Sequence, residues 1–93
     1  MIKSFYCKET EKIYHGKKSR KLAMHIQRNT MRKLWMIHAS IDIVDLRVPP
    51  ANHLERLVGD MKGFFSIRIN KQWRICFRWK QGHAYDVHII DYH

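Results

Sequence analysis

Alternation of apolar and polar side chains is strongest in the last third of the chain. Phe65, Ile67 and Ile69, then Trp73, Ile75, Phe77 and Trp79, then Tyr85, Val87 and Ile89 recur at every second position, the spacing of strands with one buried face. This predicts three strands over 64–70, 73–79 and 84–90, joined by hairpin turns at Asn70-Lys71-Gln72 and Lys80-Gln81-Gly82-His83. The intervening residues, Ser66, Arg68, Asn70, Arg74, Cys76, Arg78, Asp86 and His88, then form a polar and basic second face.

The period changes toward the start of the chain. Residues 2–7 read as an opening strand with Ile2 and Tyr6 on one face and Phe5 and Cys7 on the other. Lys8 to His15 has the pattern of a short helix closed by Gly16, a residue that tolerates the left-handed conformation past a helix end. Leu22, Ile26, Thr30, Leu34 and Ile37 follow at three- and four-residue spacing, which predicts a longer helix from Lys18 to His38. Ser40 is placed to cap a helical turn over Ile41 to Leu46. Pro49-Pro50 ends that turn, because two prolines remove two backbone donors and favour extended chain. A short strand over 52–57 and a turn over 58–63 centred on Gly59-Asp60 complete the reading. The expected fold class is α+β, an antiparallel sheet packed against N-terminal helices, in one domain over residues 1–93. A chain of this length has room for one modest core.

Charge adds a partner class. Eighteen Lys and Arg stand against eight Asp and Glu, a formal net charge of +10, and such an excess concentrates polyanions around a protein. It is uneven: residues 1–40 hold ten basic and two acidic side chains, residues 41–93 eight and six. Nucleic acid or the ribosome is therefore the expected partner. Lys21, His25, Arg28 and Arg32 fall on the side of the long helix opposite its apolar stripe. A charged helix side is commonly just solvated, and docking on RNA phosphates is the alternative reading. Cys7 and Cys76 lack metal-ligand spacing and read as reduced sheet residues. No leader-like opening and no apolar run near the roughly 20 residues of a membrane span is visible, so a cytoplasmic, membrane-free protein is expected.

The polar face and the final Asp91-Tyr92-His93 suggest chemistry. RNA cleavage by its own 2′-hydroxyl needs a base for that proton, positive charge for the phosphate, and an acid for the leaving 5′-oxygen. Arg68, Arg74 and Arg78 supply planar donor forks suited to phosphate oxygens. His93 suits an acid or base role because an imidazole titrates near neutrality. Tyr92 can stack on a base or polarise the hydroxyl, and Asp91 can orient a neighbour. No metal and no cofactor is required by such a scheme. Three arginines on adjacent strands repel one another unless an anion lies between them, although one wet side is ordinary for an antiparallel sheet.

The chain also resembles, over nearly its whole length, the HigB branch of the RelE/ParE toxin superfamily. The residues that carry the resemblance are the opening Ile2-Lys3-Ser4-Phe5, Asp45-Leu46-Arg47-Val48-Pro49-Pro50, Asn52 with Leu54-Glu55, Gly59-Asp60, Ser66-Ile67-Arg68-Ile69-Asn70, Gln72 to Trp79, and Asp91-Tyr92-His93. The resemblance implies a small curved antiparallel sheet on N-terminal helices. It implies the toxin of a type II toxin-antitoxin system, a ribosome-dependent mRNA endonuclease that inhibits translation and growth. Implied partners are the ribosome, mRNA and a cognate helix-turn-helix antitoxin of HigA type, with operator DNA reached through that antitoxin.

Carried over by position, the resemblance implies phosphate contact from Arg74 and catalytic or base-stacking work from Asp91, Tyr92 and His93. Arg68 and Asn70 would line the same groove, with Arg78, Lys62, Arg28 and Arg32 as further RNA-binding cations. Many relatives carry Lys where Val58 stands and Arg where Met61 stands. Glu55, His53 and His88 are the candidates for a second acid/base group. Two other readings remain: a ParE-like inhibitor of DNA gyrase on the same fold, and a catalytically weakened RNA- or ribosome-binding protein.

Overall fold

The computed structural model describes residues 1–91. Two helices, α1 (Lys8–Tyr14) and α2 (Met24–Ala39), precede a four-stranded antiparallel sheet of β1 (Glu55–Arg56), β2 (Phe65–Arg68), β3 (Trp73–Lys80) and β4 (His83–Asp91), in spatial order β1-β2-β3-β4. Both helices pack on one face of the sheet. The core lies between them, where Ile13, Leu34 and Ile37 meet Ile67, Ile75, Phe77, Ala84 and Val87, all essentially inaccessible to solvent. Phe77 is the largest of these side chains, and its truncation to Ala is expected to cost ~3–5 kcal/mol.

Helix α1 closes as its sequence predicts. Gly16 adopts a φ of 79°, its amide donates to Ile13 O at 3.0 Å, and Lys17 N donates to Lys12 O at 2.8 Å, the paired bonds of a Schellman end. Helix α2 starts six residues later than its apolar spacing suggests. Gln27 reaches back from the helix: its Nε2 donates to Ser19 O at 2.7 Å and Leu22 O at 2.6 Å, and its Oε1 accepts from Ser19 N at 3.1 Å. Those bonds satisfy backbone groups of the 18–23 segment without helix, while Leu22 still reaches the core.

The next turn is capped by a different residue from the one expected. Ser40 Oγ donates to Met36 O at 2.8 Å and so belongs to the end of α2. Asp42 begins the 3-10 turn Ile43–Arg47, with Val44 N donating to Asp42 Oδ1 and Asp42 N to Asp45 Oδ2, a reciprocal box. Pro50 opens a second 3-10 turn, Pro50–Asn52, where a lost amide costs nothing. The strand expected over 52–57 therefore shrinks to Glu55–Arg56, and a third 3-10 turn spans Gly59–Met61.

One bulge resets two predicted faces. Cys76 pairs with His88 and Arg78 with Tyr85, so β4 fits one extra residue there, and Asp86 takes a φ of 53°. Beyond it the alternation is inverted: Ala84 is wholly buried opposite Trp79, and Tyr85 joins Arg78 on the polar side. Tyr85 is thus not in the buried set where strict alternation put it. The opening segment follows the same reset. It makes no continuous strand, only parallel bridges at Ile2↔Ala84 and Phe5↔Val87, with Ser4 Oγ accepting from Asp86 N at 2.8 Å. Ile2 and Phe5 both pack on the core, and Tyr6 projects away, 73% exposed.

Candidate active site

Strand pairing arranges the polar face in rows. Arg68, Arg74 and Ile90 lie side by side; the next row is Glu55, Ser66, Cys76 and His88; past the bulge come Arg78 and Tyr85. Arg68 is half-buried and donates through Nε to Asn70 O at 3.1 Å. Asn70 Oδ1 accepts from Gln72 N and Trp73 N, both at 2.8 Å, and so shapes the β2–β3 turn beside the face.

Arg74 is set into the sheet rather than laid on it. Only 4% of it is exposed. Nε donates to Ser66 Oγ at 2.8 Å, Nη2 donates to His53 O and more weakly to Ser66 O at 3.4 Å, and Nη1 lies 3.5 Å from Glu55 Oε1. A planar guanidinium anchored on these sides is a fixed positive charge, the kind of preorganised group that stabilises charge without reorganising. His53 itself is exposed and left-handed, φ 44°, which turns its carbonyl toward Arg74. Glu55 is on the exposed two-residue strand at the edge.

Asp91 ends the described part of β4. It pairs with Trp73, one position along from the Arg74–Ile90 pair, and its Oδ2 accepts from Gln72 Nε2 at 3.1 Å. Arg74 and Asp91 are therefore at the same end of the sheet but on opposite faces, because Asp91 shares the side of Trp73, which packs on the core. Tyr92 and His93 lie outside the described residues.

The remaining candidates are dispersed. His88 sits mid-face with Nδ1 2.9 Å from Asp86 O. Arg78 lies past the bulge, 3.4 Å from Asp86 Oδ2 and 4.3 Å above the Phe64 ring. Lys62 borders an open cleft of about 670 Å³ shared with Arg56, Val58, Phe65 and Trp79. Arg28 and Arg32 are exposed on α2, and because the helices cover the apolar face, they are on the opposite side of the molecule from Arg74.

Cys76 is buried within the second row, and burial pushes its thiol up to about 12 despite the nearby Arg74. It is a packing residue. Lys33, which no motif or candidate site included, forms a buried pair with Asn52: Lys33 Nζ donates to Asn52 Oδ1, and Asn52 Nδ2 donates to Leu46 O at 3.2 Å. Burial, with the neighbouring Arg32 charge, holds the Lys33 ammonium below its ordinary range. Its place was visible in principle, because Lys33 is three residues after Thr30 and four before Ile37 on the buried side of α2. Asn52 immediately precedes His53, so this pair braces the loop whose carbonyl receives Arg74.

Comparison with known proteins converges on one family. Residues 3–93 match the family described as RelE-like toxin of type II toxin-antitoxin system HigB. Toxin HigB-1 of Vibrio cholerae serotype O1 is 38% identical over 90 residues, 96% of this chain and 95% of that protein. A protein of Proteus vulgaris called Endoribonuclease HigB is 42% identical over 40 residues, 43% of this chain and 44% of its own. The crystal structure of YafQ from E. coli strain BL21(DE3) superposes with a TM-score of 0.60 at 14% identity, covering 99% of this chain and 92% of that one; a YafQ mutant gives 0.65 at 12% with the same coverage. At such identities the structural likeness concerns the fold.

Proposed function

The chain belongs to the HigB-like family of RelE-type toxins from type II toxin-antitoxin systems, and from that premise we propose that it is a ribosome-dependent mRNA endonuclease. The observation that carries this reading is Arg74, a guanidinium rigidly held on the polar face at the sheet end that Asp91 shares. The name Endoribonuclease HigB borne by the Proteus vulgaris relative supports it. In the proposed reaction a base removes the proton of an RNA 2′-hydroxyl, the oxygen attacks the adjacent phosphorus, and the bond to the 5′-oxygen breaks as an acid protonates that leaving group. A 2′,3′-cyclic phosphate and a free 5′-hydroxyl result.

Arg74 stabilises the charge that builds on the phosphate. Tyr92 and His93 position the nucleotide and move its proton, and Asp91 orients them. The ribosome supplies the bent geometry that a shallow face cannot impose on a flexible strand. The antitoxin neutralises the protein by covering its basic surface, and the site of action is the cytoplasm.

The test is mRNA cleavage in a translation extract alongside ribosome co-sedimentation. His93→Gln is expected to lower cleavage about a hundredfold to ten-thousandfold while sedimenting with ribosomes like the parent. Unimpaired cleavage by that variant removes His93 from the chemistry. Equal cleavage of protein-stripped mRNA removes the ribosome from the mechanism.

A further inference from the structure

On the polar face, in the His88 row next to that of Arg74 and at Arg78 one row further on, rings gather that the proposed chemistry does not use. The Tyr6 ring, largely open to solvent, lies 5.0 Å from the His88 ring; His88 meets Phe64 edge-on at 5.7 Å; and the Arg78 guanidinium caps Phe64 at 4.3 Å. The arrangement is held from several sides. Asp86 binds both members, its carbonyl at His88 Nδ1 and its carboxylate at Arg78 Nε. Gly63, at φ 96°, leaves the room Arg78 needs, since a Cβ there would stand 3.0 Å from Arg78 Nη1.

The groups that meet here are three planar rings and a guanidinium, with no Leu, Ile, Val or Met among the four residues. A peptide anchor prefers an apolar pocket, whereas an unpaired nucleobase stacks on any exposed π-face and gains from a nearby cation. We propose that Tyr6, backed by His88 and Phe64, is a stacking platform for an unpaired base of the bound RNA, with Arg78 meeting its backbone phosphate. The proposal rests on the nuclease reading above. It places the RNA strand along the polar face from the Arg74 end toward the bulge, and it makes the opening segment of the chain part of the substrate surface.

The test is steady-state mRNA cleavage in a translation extract by Tyr6→Ala, Tyr6→Leu, Tyr6→Phe and Tyr6→Trp, each checked for an unchanged melting temperature. Removing one stacked base is worth about fivefold to a hundredfold. Tyr6→Ala and Tyr6→Leu are expected to lose that factor, chiefly in KM, and Tyr6→Phe and Tyr6→Trp to keep parental activity. Full activity of Tyr6→Ala, or equal rescue by Leu and Phe, overturns the platform and leaves the nuclease reading standing. Absence of cleavage by the parent chain overturns both. Unchanged cleavage by Tyr6→Ala with weakened antitoxin co-purification would make the patch a protein-docking surface instead, which also overturns the proposal.

Discussion

Arg74 Nη1 stands 3.5 Å from Glu55 Oε1 across β2, although the arginine is almost wholly buried and the glutamate side chain is 44% exposed. The pair fastens the edge strand to the sheet through the same guanidinium that is assigned to the phosphate. Truncation therefore acts twice. Arg74→Ala should lower cleavage by about a hundredfold or more and also destabilise the fold by ~1–3 kcal/mol, because Ser66 and His53 O lose a buried partner. Read from the sequence, with the side chain on an open polar face, the same change leaves the fold intact; burial is what alters that expectation. Thermal denaturation beside the cleavage assay decides, and an unchanged melting temperature would mean the guanidinium contributes nothing to the edge.

Asp86 controls which residues of β4 face the core. Its left-handed backbone is open to Gly and strained for a β-branched side chain. Asp86→Gly should keep the fold, whereas Asp86→Val should destabilise it by ~1–3 kcal/mol. Denaturant titration measures both. Equal stability of the two variants would show that the bulge does not depend on this conformation.

The two cysteines should differ in reactivity. Burial raises the Cys7 thiol, but the amides of Thr10 and Glu9 at the start of α1, with Lys21 nearby, outweigh it and hold Cys7 below its ordinary value; Cys76 is pushed up to about 12. Since the thiolate is the nucleophile, iodoacetamide at neutral pH should add one group, at Cys7, to the native protein and two after denaturation. Mass spectrometry reads this directly, and native labelling of Cys76 would contradict its burial.

Lys33 predicts an alkaline pH effect. Its folded pKa lies below the unfolded value, so between the two the unfolded chain binds more protons and stability rises with pH. The cost of the buried charge is fully present below the folded pKa and gone above the unfolded one, near 10.4. The parent should therefore gain stability toward alkaline pH more steeply than Lys33→Met. Parallel slopes for the two would exclude Lys33 as the cause.

Much of the architecture is local and was legible. Gly16 ends α1 because only its own dihedral and two nearby carbonyls are involved, and the β2–β3 and β3–β4 hairpins follow from period-two alternation on either side of short turns. The family was legible in the Ser66 to Trp79 stretch and the terminal Asp91-Tyr92-His93. What needed the third dimension involves partners far apart in sequence. The start of α2 depends on Gln27 folding back on Ser19, and the side occupied by Tyr85 depends on one extra residue at Asp86, which Ser4 secures from the opposite end of the chain. Arg74 was recognisable as a cation of the polar face, but whether it lies open or set into the sheet was decided by Glu55, Ser66 and the His53 carbonyl. The Tyr6, His88, Phe64 and Arg78 cluster draws on four separate segments, so no spacing along the chain announces it. Periodicity specifies which residues share a face of one element; only packing specifies which elements share a face of the protein, and how much of each side chain is left to water.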